Sequence, residues 1–111
     1  MYRGEIWWAT LAAPGSAAQL RLPVLVVQDD VFNESLIQTV VVAAITINER
    51  LAEAPGTVQV PTEVTGFSQA AIANLSQLFT LTKASLTERL GALPEDLRTA
   101  VNDELQLVLS L

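Results

Sequence analysis

The sequence predicts a mainly β domain: five or six short strands forming a small, partly open barrel, with one amphipathic helix packed beside it at the C-terminus. Three observations carry that expectation. β-rich apolar runs recur at 5–11 (EIWWATL), 23–28 (PVLVVQ) and 39–47 (TVVVAAITI). Turn-forming clusters separate them, and helical spacing of apolar residues is clear only after Pro94. A chain of 111 residues fits a single domain spanning 1–111.

The first strand is expected at 5–11, with both tryptophans. Residues 12–20 (AAPGSAAQL) hold Pro, Gly and Ser without alternation and read as a loop. The run 23–28 is apolar on consecutive positions, as in a strand buried on both faces, and Pro23 is expected at its start, where a missing N–H does least harm. Residues 29–35 read as a turn or short helical piece, and 39–47 as a second buried strand. Ala54-Pro55-Gly56 marks a turn into a short strand at 57–60. Residues 63–68 read as a loop, with Gly66 free to adopt a left-handed conformation. The run 70–80 is ambiguous, and only its second half is expected to be strand. Pro94 suits the first helical position, and Glu95 and Asp96 suit the positive end of the helix dipole. Leu97, Ala100, Val101, Leu105, Val108 and Leu109 then share one face.

Composition removes several functions. There is no histidine and no cysteine, which excludes the Ser-His-Asp triad, histidine acid–base pairs, disulfides and thiolate metal sites. Neither a GxxxxGK[ST] loop nor GxGxxG occurs. Asp29-Asp30 reads as a solvated turn after a strand, so no metal and no cofactor is expected. The longest apolar run, 40–45, is far short of the roughly 18 to 20 residues that cross a bilayer, so no membrane role is expected. The opening residues carry an acid and read as a strand, not a signal peptide, which points to a soluble cytoplasmic protein. Half the residues are apolar, a high share for a small monomer, so part of the surface is expected to be buried against a second subunit. Twelve acidic residues against six basic ones give a net charge of −6, which disfavours general nucleic-acid binding unless the few arginines converge.

What remains is chemistry with arginine, hydroxyls and amides. Metal-free RNA cleavage needs the ribose 2′-OH to attack its own phosphate, and a guanidinium can neutralise the charge that builds on the phosphoryl oxygens. Arg21 precedes one buried strand and Thr46 lies near the end of another, so both can sit at one rim of a barrel. Each also has a bland reading, Arg21 as a surface charge and Thr46 as a β-branched strand residue. Gln28, Asn33 and Gln77 could read base edges, and serve equally well as turn or ladder residues. Trp7 and Trp8 could stack on bases; adjacent on one strand, they are read as structural.

The segments Arg3-Gly4-Glu5-Ile6-Trp7, Gly15-Ser16, 23–28 (PVLVVQ), Asp30-Val31-Phe32-Asn33, 42–46 (VAAIT), Thr65-Gly66-Phe67, 74–78 (NLSQL) and 86–91 (LTERLG) together resemble the MazF/PemK family of RNA-cleaving toxins. The resemblance covers nearly the whole chain in one order. It implies a CcdB/Kid-like fold, related to SH3-like barrels, and a homodimer. It also implies sequence-selective cleavage of single-stranded RNA, and a cognate antitoxin whose extended tail occupies the RNA groove. The family's catalytic threonine falls on Thr46, Gly15-Ser16 matches the start of its first loop, and Gln77 is retained; Ser16, Gln28, Asn33 and Gln77 are the candidate RNA contacts. The family's catalytic arginine directly precedes the Pro-Val pair; Leu22 stands there, with Arg21 one residue earlier. Successive strand residues face opposite ways, so Arg21 is expected to aim away from the family direction unless the loop bulges. The first loop departs too, reading Gly15-Ser16-Ala17-Ala18-Gln19-Leu20 where the family commonly has Gly-Ser-Glu-Gln-Gly-Gly. These departures leave two other readings open beside the endoribonuclease: an impaired homologue that binds antitoxin, or a CcdB-like inhibitor of another enzyme.

Overall fold

The computed structural model describes residues 1–12, 15 and 17–111. Six strands form one sheet in the order β4-β5-β3-β2-β1-β6, curled into a half-barrel: β1 (Glu5–Ala12), β2 (Gln19–Val26), β3 (Thr39–Thr46), β4 (Thr57–Val60), β5 (Ala71–Thr82) and β6 (Leu86–Ala92). All neighbours pair antiparallel. Two single helical turns, α1 (Asp30–Asn33) and α2 (Thr62–Thr65), lie in the connections, and α3 (Glu95–Leu109) closes the chain.

Alternation along the central strands supplies two cores rather than one. Ile6, Leu25, Ala43, Ile45 and Leu75 pack on one face with Val101 and Leu105 of α3. Ala9, Val24, Val26, Val40, Val42 and Leu86 pack on the other, with Trp7, Leu22, Phe79 and Leu81 around them. This is why 23–28 and 39–47 lack an apolar–polar alternation: both faces of β2 and β3 are covered.

Several expectations need correction. Strand β2 begins at Gln19, inside the expected loop, and Pro23 lies within it, opposite Trp8 of β1. Strand β3 pairs with β2 only from Val24 onward, so Pro23 sits at a locally open edge where no ladder N–H is needed. Strand β5 covers the whole of 71–82, not only the second half of the ambiguous run. Its register with β3 jumps from Ala43–Leu78 to Ala44–Asn74, leaving residues 75–77 as a bulge. The bulge is held by Leu75 N–H donating to Gly56 O (2.7 Å), and by Asn74 Oδ1 accepting from Ser76 N–H (3.1 Å) and Oγ–H (2.6 Å). It breaks the alternation and so hid the first half of the strand. Part of the expected 63–68 loop is α2, which ends at Gly66 with φ 78°. Pro94 is the cap residue before α3, and Leu109, expected on the packed face, is 49 % exposed.

Glu5 anchors the start of β1. Its carboxylate accepts from Tyr2 N–H (2.6 Å), Trp7 Nε1–H (3.2 Å) and Arg89 Nε–H (2.6 Å). Burial works against its ionisation, but the hydrogen bonds from Arg89, Tyr2 and Trp7 and the Arg89 charge outweigh it, holding the carboxyl below its ordinary value of 4.5. A depressed acid stabilises the fold above its unfolded pKa, and that contribution is lost as pH falls through the folded one. Glu5→Gln is therefore expected to cost about 1 kcal/mol at pH 7, Arg89 being half exposed. The gap to the wild type should close in urea melts as pH drops below 4.5. On β6, a Cβ at Gly91 would overlap the Val64 carbonyl oxygen, where backbone must give way. Gly91→Ala should lower the unfolding free energy by at least ~2 kcal/mol in the same assay.

Candidate active site

One end of the α3-covered face is not reached by the helix. There a groove of about 540 Å³ opens between β1, β2, β3 and residues 67–69. Its floor is Trp8, Pro23 and Ile45. Gly66 turns the chain out of α2, and Phe67 N–H donates to the buried Thr65 Oγ1 (3.1 Å), which sets the Phe67 ring against Trp8 at 5.7 Å between centroids and 46° between planes.

Arg21 enters from β2, opposite Thr10. Its guanidinium carbon lies 4.6 Å from the Trp8 ring centroid, and Nη2 donates to Glu88 Oε2 of β6 at 2.9 Å. Both partners of that ion pair are more than half exposed. Arg21 is the sole cation among the residues lining the groove.

Thr46, the last residue of β3, also lines the groove, so Arg21 and Thr46 do share one rim. They approach it differently. The pairing of Val24 with Ala44, carried two residues on, sets Leu22 across from Thr46, so alternation gives Thr46 the face of Leu22 and Arg21 the face of Pro23. Leu22 packs on the second core beside Trp7. The Thr46 hydroxyl accepts from Asn48 N–H at 3.2 Å, at the start of the turn that leaves β3.

Gln28, Asn33 and Gln77 lie outside the lining of this groove. Gln28 Nε2–H donates to Asn33 Oδ1 (3.1 Å) and Thr39 O (3.1 Å), while its Oε1 accepts from Val41 N–H (3.2 Å). Asn33 is buried and donates to Gln28 O (2.8 Å) and Asp30 Oδ1 (2.9 Å). Asp30, whose other contact is Arg3 N–H (2.7 Å), is held below its ordinary value by the Asn33 and Arg3 hydrogen bonds. Gln77 is exposed on the β5 bulge. Ser16 lies outside the described residues.

Sequence reasoning missed Trp8, Phe67 and Glu88 as site residues. Trp7 does serve the core, but Trp8 carries the arginine. Glu88 reaches it through an irregularity in the β1–β6 register, which runs Trp8–Glu88 and then Ala9–Leu86. Strict alternation would put Leu86 and Glu88 on one face; the bulge at Thr87 sends Leu86 into the second core and Glu88 to the side of Trp8. No local sequence signal marks that shift.

Comparison with known proteins agrees with this architecture. The family model described as PemK-like, MazF-like toxin of type II toxin-antitoxin system matches residues 2–109. Endoribonuclease MazF6 of Mycobacterium tuberculosis is 42 % identical over 110 residues, 98 % of this chain and 96 % of that protein. Endoribonuclease EndoA of Bacillus subtilis is 33 % identical over 110 residues, 98 % and 94 % of the two chains. Among solved structures, a mycobacterial endoribonuclease in complex with its cognate antitoxin superposes with a TM-score of 0.81 at 22 % identity, covering 100 % of this chain and 96 % of that one.

The Gln28–Asn33–Asp30 cluster stitches the β2 end to α1, and loss of the buried amide would orphan its partners. Asn33→Ala is expected to lower stability by about 2 kcal/mol in equilibrium unfolding.

Proposed function

The chain belongs to the PemK-like, MazF-like toxin family of type II toxin-antitoxin systems, and from that premise we propose that it is an endoribonuclease acting on single-stranded RNA in the groove of Arg21 and Thr46. The observation that carries the reading is the placement of Arg21 from β2 and Thr46 from β3 in the lining of one groove, which Trp8 and Phe67 also border. In this mechanism the ribose 2′-OH gives its proton to water and attacks the adjacent phosphorus, the 5′-oxygen leaves and takes a proton from water, and a 2′,3′-cyclic phosphate remains. Arg21 stabilises the extra charge on the phosphoryl oxygens through paired N–H donors, and the Thr46 hydroxyl orients one of them. The nucleophile belongs to the substrate, and in this reading Arg21 supplies the positive charge at the phosphate that a metal would otherwise bring.

Trp8 and Phe67 offer faces on which unpaired bases stack, which favours single strands over a duplex. Selectivity for sequence would come from two amides: Gln69, which lines the groove, and Gln77, exposed on the β5 bulge outside that lining. Gln28, Asn33 and Ser16 remain proposed contacts for bases or sugar-phosphate, the first two requiring release of internal bonds. An RNA substrate implies a cytoplasmic site of action; no described helix is long and apolar enough to cross a membrane.

The protein acts as a homodimer with a cognate antitoxin as its partner. Support for the dimer comes from the segment around α1, which exposes Val31, Phe32, Leu36 and Ile37, with Leu36 at 99 %. Antitoxin binding rests on family membership and on the likeness to a toxin solved with its antitoxin.

Purified protein, free of antitoxin, is incubated with a long mixed-sequence RNA in EDTA. Cleavage is expected, and Arg21→Ala should slow it by roughly 100-fold or more, the usual loss when a charge-stabilising donor is removed. An inert wild type that gains cleavage on Leu22→Arg would instead identify a toxin homologue disabled at the family position.

A further inference from the structure

The ion pair at the mouth of the groove has a consequence for how RNA is admitted. The geometry points to Glu88 as a displaceable anion on Arg21: its carboxylate occupies the guanidinium in the RNA-free protein, and an incoming phosphodiester must take its place. The inference rests on the proposed RNA-cleaving role of Arg21 and names the residue that regulates access to it.

Trp8 is flanked by Pro23 on β2 and Glu88 on β6. Arg21 reaches across the indole, stacking on it at 4.6 Å and ending 2.9 Å from Glu88 Oε2. Carboxylate and phosphate both match the guanidinium fork, so the two anions compete for the same N–H groups. With side chains 52 % and 61 % exposed, the pair is weak and screened, hence exchangeable. The stack on Trp8 does not depend on Glu88, so a guanidinium that releases the carboxylate stays aimed at the groove.

The neighbouring ion pair, which joins β6 to β1 instead of β2, behaves differently. Glu5 has a side chain only 12 % exposed and accepts from three donors, so Arg89 is one contributor to a fixed anchor. Among the described residues Glu88 is held by Arg21 alone. While that bond stands, the only cation lining the groove is neutralised, in a protein of net charge −6. The bulge at Thr87 is what places Glu88 on this side.

The test measures affinity for a mixed-sequence, 2′-O-methyl single-stranded RNA, which binds and resists cleavage. Glu88→Gln keeps an oxygen that can accept from Arg21 while removing the charge. It should tighten binding roughly three- to fivefold at low salt, with the gain shrinking as salt rises. Asp103→Asn, an exposed acid on α3 removed from the groove, makes the same change in net charge and should shift affinity far less. In an Arg21→Ala background the Glu88→Gln gain should vanish. If Arg21→Ala weakens binding but Glu88→Gln does not tighten it, or Asp103→Asn tightens it equally, the displacement model is overturned and the role of Arg21 stands. If Arg21→Ala changes neither binding nor cleavage, the reading of the groove falls and the displacement model with it.

Discussion

The double-sided burial of β2 is the constraint on which the other features depend. Val24, Leu25 and Val26 are each fully or almost fully buried, on alternate faces, so the strand cannot slip by one residue without exchanging two cores. That locked register extends outward to the polar end of the strand. Because Leu25 must face α3, Pro23 and Arg21 follow it to the groove. Because Val24 must face the second core, Leu22 follows it there. The orientation of the one cation in the groove is thus a consequence of apolar packing several residues away.

The same constraint explains how an acidic protein can present a site for a polyanion. Six cations are too few for a general basic surface. Four of them act at separate points: Arg89 on Glu5, Arg3 on Asn102, Lys83 capping the carbonyls of Phe32, Asn33 and Ser35, and Arg21 on the aromatic wall. Three of these serve the architecture. Arg21 is set apart by its stack on Trp8 and by a half-exposed partner that can leave. Affinity in such a site depends on one exchange of anions and on stacking rather than on an extended field.

Much of the architecture was legible because its causes are local. The apolar runs of β1 and β3, the Ala54-Pro55-Gly56 turn before β4, the left-handed Gly66 and the acidic first turn of α3 follow from propensity and short-range sterics. The failures share a different origin. Pro23 sits inside β2 because β3 stops pairing beside it, and β5 is continuous because a bulge absorbs residues 75–77. Leu109 is the last residue of the helix and stays half exposed while Val101, Leu105 and Val108 take the core. Each depends on where a partner strand or helix ends, which no window of sequence contains.

The site divides along the same line. From the sequence alone came the exclusion of histidine, thiolate and nucleotide-loop chemistry, the pairing of Arg21 with Thr46 as the remaining reactive groups, and the family to which the eight segments belong. Those are matters of residue type and order. Only the tertiary structure decided that Arg21 takes the groove face and Leu22 the second core, that Trp8 rather than Trp7 borders the groove, and that Glu88 meets the guanidinium. The reason is physical: facing direction is set by the register between strands distant in sequence, and one bulged residue at Thr87 is enough to reverse it.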